Sequence, residues 1–562
     1  MLYQYGYHPW QVGLKPETVR QDLRFVVNTY EDKNPPMRIS PQNFPHIKGA
    51  TPWTPNLRNV PGSMLGFGKR VARAIPIPDI DLQNEFFAYV KEKLLPQFPI
   101  LPEDTDISPE TWLTPENTPT YTETRRQEFR DLLAQNGIRK LKVKDIKCKS
   151  FIKEETYPEP KHFRTINSRS DQAKLTFGPL LKPVEKEVFK KPQFIKYIPV
   201  PERPRYITDL LYRPGAKYLV SDYTAYESHF TARVIENVEY ALYEYMLQKV
   251  TGAKPLLAEL KSALCGTNYC QFKHFTGVVS ATRMSGEMCT SLGNGFTNWA
   301  LMSFAAEYHN TEVSGVVEGD DGLFAFKNNI IPDAEFFAKL GFTVKLETVP
   351  SLAEAGFCGM YFDPNDKIVV ADPVDPLANF GWFPTKYIKA KKSRYLELLR
   401  AKSYSLSYQY AGCPILQSLG QYGLRVTRHI DLRRYLNRDR NISGWEKEQL
   451  LEALSAKIVA REVPINTRLL VQQQFGITVR QQLEIEEYLD NLNCLQPLDL
   501  PQLYNIMPSG YKVCWAHYVV YNEAECLELG LRKYRYELDT YAEIINFTRT
   551  ALRNSVDRRL LS

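Results

Sequence analysis

The chain has 562 residues, 43% hydrophobic and 24% charged, which suits one large multi-lobed unit or three to four domains and excludes a wholly disordered or fibrous protein. Its 71 basic and 64 acidic residues leave +7, and the excess is local: Arg139 to Arg205 carry 18 Lys and Arg against 8 Asp and Glu, a net +10, so the remainder is about −3. No apolar run reaches the ~18–20 residues that span a bilayer, and nine scattered cysteines fit a reducing compartment with no disulfide framework.

The N-terminus, MLYQYGYHPWQVGL, lacks the charged-then-apolar pattern of a signal peptide. The glycosylation patterns Asn441-Ile-Ser443 and Asn546-Phe-Thr548 are therefore read as chance. Residues 1–120 are rich in proline and loops. Residues 41–63, PQNFPHIKGATPWTPNLRNVPGS, read as extended chain laid over another part of the molecule. The basic segment follows.

Lys217–Asp222, KYLVSD, predicts a short strand ending on an acid. Val234, Val238, Leu242 and Met246 then recur every fourth residue, as on one helix face. Cys265, Cys270 and His274 invite a zinc reading, but a structural site needs a fourth ligand. Two strands with a turn at Gly266-Thr-Asn are the simpler expectation. VSGVVEGDDGLFAFK, residues 313–327, reads as a hairpin with Gly-Asp-Asp-Gly at its tip. A short helix over Ala334–Leu340 and a strand over Phe342–Leu346 follow. The last third is helical, with a Leu450, Leu454, Ile458 stripe. A Thr478/Gln481 capping box opens a helix to about Leu489.

Three stretches concentrate chemistry: Ser221-Asp222 with Glu227, Ser285-Gly286 with Thr290 and Asn294, and Gly319-Asp320-Asp321-Gly322. Taken singly each has a plain reading. The last is a turn, Asp222 a loop acid or helix cap, and the Thr/Asn stripe (continued by Asn298) a set of side chains bonded to nearby backbone. Adjacent carboxylates repel, however, unless a cation sits there. If the strand ending at Asp222 pairs beside the hairpin, Asp222 meets Asp320 at one sheet edge. Hard oxygen ligands suit Mg²⁺ or Mn²⁺, and two such ions can activate a hydroxyl and stabilise a departing pyrophosphate. Gly66-Phe-Gly-Lys69 departs from a P-loop in glycine spacing and in Arg70, which stands where Ser or Thr is required.

Together, in this order, the three stretches resemble motifs A, B and C of the RNA-dependent RNA polymerases of positive-strand RNA viruses, most closely the tombus- and noda-like ones. Lys339-Leu-Gly-Phe-Thr-Val-Lys345 is similar to motif D and Gly356-Phe-Cys-Gly359 to motif E. Phe151-Ile-Lys153-Glu154 with Lys161-His-Phe-Arg164-Thr-Ile-Asn-Ser-Arg169 is similar to motif F, inside the basic segment. Tyr408–Leu416 and Phe475-Gly-Ile-Thr with Gln482 and Glu486 resemble thumb sequences.

The resemblance implies an α+β right-hand polymerase with an antiparallel palm sheet and a helical thumb. The expected parts are an N-terminal extension with fingertips (1–120), fingers with the nucleotide channel (121–211), palm with motif A (212–239), a fingers insertion (240–282), palm with motifs B to E (283–370), and thumb with C-terminal region (371–562). It implies metal ligation and catalysis by Asp222, Asp320 and Asp321, with Lys345 as the acid for pyrophosphate. Lys153, Lys161 and Arg164 would hold the triphosphate, and Glu227, Ser285, Thr290 and Asn294 would read the ribose. Arg169, Gly286 and Cys358 would touch RNA. Implied partners are template and product RNA, ribonucleoside triphosphates, Mg²⁺ or Mn²⁺, and viral or host replication proteins, through which alone it would meet membranes in the host cytoplasm. Glu227 departs from the family, which usually has Asp there. A reverse transcriptase and a non-catalytic RNA-binding protein are the rival readings.

Overall fold

Apolar runs of alternating facing build the sheets of this computed structural model, which describes residues 14–27, 38–41, 43–50, 52, 54, 60–158, 162–387, 389–432, 435, 444–508, 511 and 518–520. Lys161 and both glycosylation patterns lie outside these residues. In chain order the strands are β1 (Arg24–Val27), β2 (Arg38–Ser40), β3 (Cys148–Ile152), β4 (Thr165–Arg169), β5 (Tyr218–Tyr223) and β6 (Asn268–Gln271), then β7 (Phe275–Val279), β8 (Val313–Glu318), β9 (Asp321–Phe326), β10 (Val344–Val349), β11 (Phe383–Pro384) and β12 (Tyr518–Val520). Among the described residues they form three sheets, ordered β1-β7-β6-β3-β4, β10-β5-β9-β8 and β11-β2-β12. Helices pack on all three, so the chain is a mixed α+β fold.

The four-stranded sheet is antiparallel throughout. Successive side chains of a strand point to opposite faces, and this sheet is apolar on both. Leu219, Val317, Phe324 and Val344 enter one core with Phe296, Ala300 and Phe304 of the helix Thr290–Tyr308. Tyr218, Val316, Leu323 and Ala325 enter a second core with Ile195, Ile207 and Leu211. Two-sided burial fixes the register, because a one-residue slip would exchange the faces.

The five-stranded sheet holds the β3–β4 hairpin. It packs against the helix Val60–Arg70, where a Cβ on Gly66 would stand 2.5 Å from the Phe163 carbonyl oxygen. Only glycine allows that approach. The residues expected to be extended chain over 41–63 thus end in this helix, with Pro61 tolerated in its first turn. Gly66-Phe-Gly-Lys69 is helix interior. Leu14–Val27 serve this sheet's core, while Ile39, Phe44 and Ile47 join the core of the C-terminal helices. The N-terminal stretch therefore belongs to two separate cores.

Four local expectations are corrected. The stripe Val234 to Met246 is buried as expected, but the helix breaks at Val238 (φ −114°, ψ −82°) into Ala232–Asn237 and Glu239–Leu247. Gly341 (φ +94°) delays the strand expected from Phe342 until Val344, leaving Phe342 in the core. The helix Gly444–Ser455 stops before Ile458. Cys265 ends the helix Ala253–Cys265, so Gly266-Thr-Asn joins helix to strand and the hairpin turn is Phe272–His274. The capping box at Thr478 forms as expected and opens Val479–Asn491.

Candidate active site

The strand ends place the acids. Ser221 on β5 pairs with Gly322 on β9, so Asp222 lies beside the turn between β8 and β9 that carries Asp320. On its other side Asp222 pairs directly with Lys345 of β10. Directly opposed residues of an antiparallel pair share a face, and both are solvent-exposed. Asp320 and Asp321 are themselves open to solvent, but the surrounding protein displaces part of their water. That desolvation raises the Asp320 carboxyl above its ordinary range, and the charges of Glu227 and Asp222 raise it further while Arg164 opposes them. Asp321 is pushed up to about 6 by desolvation, then by Asp320, Glu318 and Asp222, against a hydrogen bond from the Cys358 thiol. One electrostatic neighbourhood therefore holds Asp222, Glu227, Glu318, Asp320 and Asp321.

The tip of this hairpin is tied to the neighbouring helix by one side chain. Asn298, fully buried on Thr290–Tyr308, directs its Nδ2 at the carbonyls of Gly319, Asp320 and Asp321 (3.2, 3.1 and 3.2 Å). Its Oδ1 accepts from Tyr223 Oη at 3.3 Å, next to Asp222. Gly319 holds φ at +63°, a conformation that glycine adopts without strain. Behind the tip, Arg203 Nη1 meets Glu318 Oε2 at 2.6 Å and compensates that acid.

The Ser285-Gly286 loop lies against the same group. Ser285 Oγ donates to Glu227 Oε1 at 2.8 Å. Thr290 Oγ1 donates to Met284 and Glu287 carbonyls and accepts from Gly286 N–H, so its hydroxyl shapes the loop. Asn294 Oδ1 accepts from Arg283 Nε at 2.9 Å. Gly286 takes φ +122°, with the Asn167 carbonyl of β4 3.2 Å from where a Cβ would be. It is exposed.

Of the basic segment, Lys153 and Arg164 face each other across the β3–β4 hairpin end, where Lys153 N–H donates to the Arg164 carbonyl at 2.8 Å. Both flank Glu155, at 3.1 and 3.7 Å. Arg164 acts on Asp320. Arg203, at Glu318, is a third cation of the segment at this neighbourhood, whereas others are spent elsewhere. Lys174, Lys182 and Lys190 pair with neighbouring acids, and Arg139 with Asp145. Arg169 corrects the expectation of an RNA contact. It is 6% exposed and bonded to Glu287, to the Ile146 and Ala263 carbonyls and to Asn268. Cys358 (φ +52°) lies beside Asp321 and Glu318.

Sequence reasoning missed Arg203, Arg283, Glu239, Glu287 and Glu318 because their partners are distant along the chain. Asn298 had a signal, being four residues beyond Asn294, although not the identity of its partners.

Residues 221–496 match the family model described as viral RNA dependent RNA polymerase. Over these residues the chain is similar to viral RNA-dependent RNA polymerases. The RNA-directed RNA polymerase of Tobacco necrosis virus (strain A) is 25% identical over 404 residues, which cover 66% of this chain and 52% of the relative. The chain thus spans about half the length of that curated polymerase. The polymerase match opens at Ser221, beside Asp222, and takes in the Ser285 loop, the Asp320 hairpin and the helices to Val479–Asn491.

Proposed function

We propose that this chain synthesises RNA on an RNA template, with the four-stranded sheet as palm, the five-stranded sheet and its helices as fingers, and the C-terminal helices as thumb. The observation that carries this reading is the joining of three sequence-distant stretches at one end of the four-stranded sheet. Strand register brings Asp222 to the turn that carries Asp320 and Asp321, Asn298 holds that turn, and Ser285 reaches Glu227.

The donor set at this end fits a divalent cation. It is made of hard carboxylate oxygens, and Asp320 and Asp321, raised first by desolvation and then by neighbouring carboxylates, would be favoured in their charged forms by such an ion. Among the described residues no group of three His, Cys, Asp or Glu is gathered closely enough to hold a metal ion by itself. Asp222 and Asp320 would hold Mg²⁺ or Mn²⁺ with Asp321 in support, and the ion would neutralise phosphate charge and lower the pKa of the attacking hydroxyl.

The oxygen of the product 3′-hydroxyl forms a bond to the α-phosphorus of the incoming nucleotide as the bond to pyrophosphate breaks. Lys153 and Arg164, with Lys161, hold the triphosphate by charge. Lys345, on the face it shares with Asp222, supplies a proton to pyrophosphate. Glu227, Ser285 and Asn294 read the ribose, while Thr290 shapes their loop. Placement in membrane-associated replication complexes of a host cytoplasm, through viral or host proteins, rests on the resemblance alone.

The test is template-directed extension with ribonucleotides and, separately, deoxyribonucleotides, using Asp320→Asn as control. The reading expects ribonucleotide incorporation that Asp320→Asn reduces by at least about 100-fold. Preferential deoxyribonucleotide use would make it a reverse transcriptase. Background incorporation with every template and metal would leave an RNA-binding protein.

A further inference from the structure

Behind the Ser285 loop runs a buried chain of alternating charge. Arg169 pairs with Glu287, Glu287 with Arg283 at 3.4 Å, and Arg283 with Glu239. All four side chains are at most 5% exposed, and their charges cancel. A buried ion chain is weak evidence of stabilisation, because well-packed apolar groups often serve as well or better. Arg283 also does more than neutralise Glu239. Its Nε donates to Asn294 Oδ1 at 2.9 Å. Its own N–H donates to the Glu227 carbonyl at 3.1 Å, and the Thr282 hydroxyl reaches that same carbonyl at 2.7 Å. The guanidinium lies over the Phe230 ring, 4.6 Å from the centroid.

We infer that Arg283 is a positioning residue for ribose selection, acting by fixing which edge of the Asn294 amide is offered to the nucleotide. This rests on the polymerase reading above. A guanidinium has five donors and no acceptor, so the Asn294 atom facing it must be the oxygen. The NH₂ edge is thereby turned away from Arg283. A ribose 2′-hydroxyl both donates and accepts. Between the Asn294 NH₂ and the Glu227 carboxylate it meets one donor and one acceptor. With the amide reversed it would meet two acceptors for one proton. A 2′-deoxyribose leaves both protein groups without a partner, which is the kind of loss that discriminates strongly.

The test uses the full chain in single-nucleotide extension, with UTP and 2′-deoxy-UTP compared by kcat/KM. Arg283→Lys keeps a charge for Glu239 but loses the Nε donor. The double variant Arg283→Met with Glu239→Gln leaves neither of that pair charged. Each is expected to lower the UTP preference at least tenfold, chiefly by raising KM for UTP. A purely structural role would lower both substrates together and leave the ratio intact, which would overturn the inference. Asn294→Asp keeps an acceptor for Arg283 and removes only the donor edge, so it guards against misfolding of the Arg283 variants. It too must lose preference, and full preference in Asn294→Asp would overturn the inference. Wild-type chain inactive with both nucleotides would instead overturn the polymerase reading, and this inference with it.

Discussion

Ser285 Oγ donates to Glu227 Oε1 at 2.8 Å, joining the loop before the long helix to the turn after β5. Glu227 stands where the resembling family usually has Asp. The additional methylene is what spans to Ser285, and Asp in its place would withdraw the acceptor. Loss of a hydrogen bond to a charged group costs about 1.5–3 kcal/mol. Glu227→Asp should therefore raise KM for ribonucleotides about 10- to 150-fold, read in single-nucleotide extension. An unchanged KM would show that Ser285 finds another partner at no cost.

Asn298 supplies one NH₂ to three consecutive carbonyls of the turn that bears Asp320 and Asp321. Asn298→Leu keeps the volume and removes the donor, leaving those carbonyls to find water or shift. A displacement of order 1 Å at reacting groups costs about 100-fold in rate, so RNA synthesis should fall by about that factor. The circular dichroism spectrum should stay native. Activity within a factor of two of wild type would remove Asn298 from this role.

Gly293 is the fourth residue of the helix Thr290–Tyr308, where Ala would ordinarily stabilise by up to about 1 kcal/mol. Here an added Cβ would collide with Glu239 Oε2 and lie 2.5 Å from Arg283 Nη2. Overpacking of this sort costs about 1–3 kcal/mol, and the collision falls on a buried ion pair unable to swing into solvent. Gly293→Ala should thus lower the melting temperature. A rise would mean that the pair can move aside.

His229 is buried between β5's turn and β10, stacked on Phe342 with ring centroids 5.4 Å apart. Its Nε2 accepts from Thr343 N–H at 3.0 Å, which requires a neutral ring. Burial depresses its pKa to about 4 from 6.5. Between those values the unfolded chain binds more protons than the folded one, so stability is present above about pH 6.5 and lost as pH falls toward 4. His162, depressed in the same direction by burial, titrates in that window too. The His229→Gln variant should therefore show a shallower loss of urea-unfolding stability from pH 7 to 4.5 than wild type, and a slope equal to wild type would exclude His229.

The C-terminal capping box and the β8–β9 hairpin were legible in the sequence because each depends on residues within a turn of one another. The positions of Asp222, Ser285 and Asp320 were legible as local patterns, and their order supplied the family resemblance. The break at Val238 was not legible, since an apolar stripe buries equally well on one helix or on two consecutive short ones.

Sequence by itself determined which side chains carry donors, acceptors and charge, and that the net positive excess lies between Arg139 and Arg205. Tertiary structure decided where those charges act. It gave Arg169 to Glu287 in the interior and Arg164 to Asp320 at the end of the four-stranded sheet, although both arginines belong to one nine-residue basic stretch. The physical reason is that β3 and β4 alternate their faces. Position along a strand decides burial, and a buried charge must be spent on a neighbour.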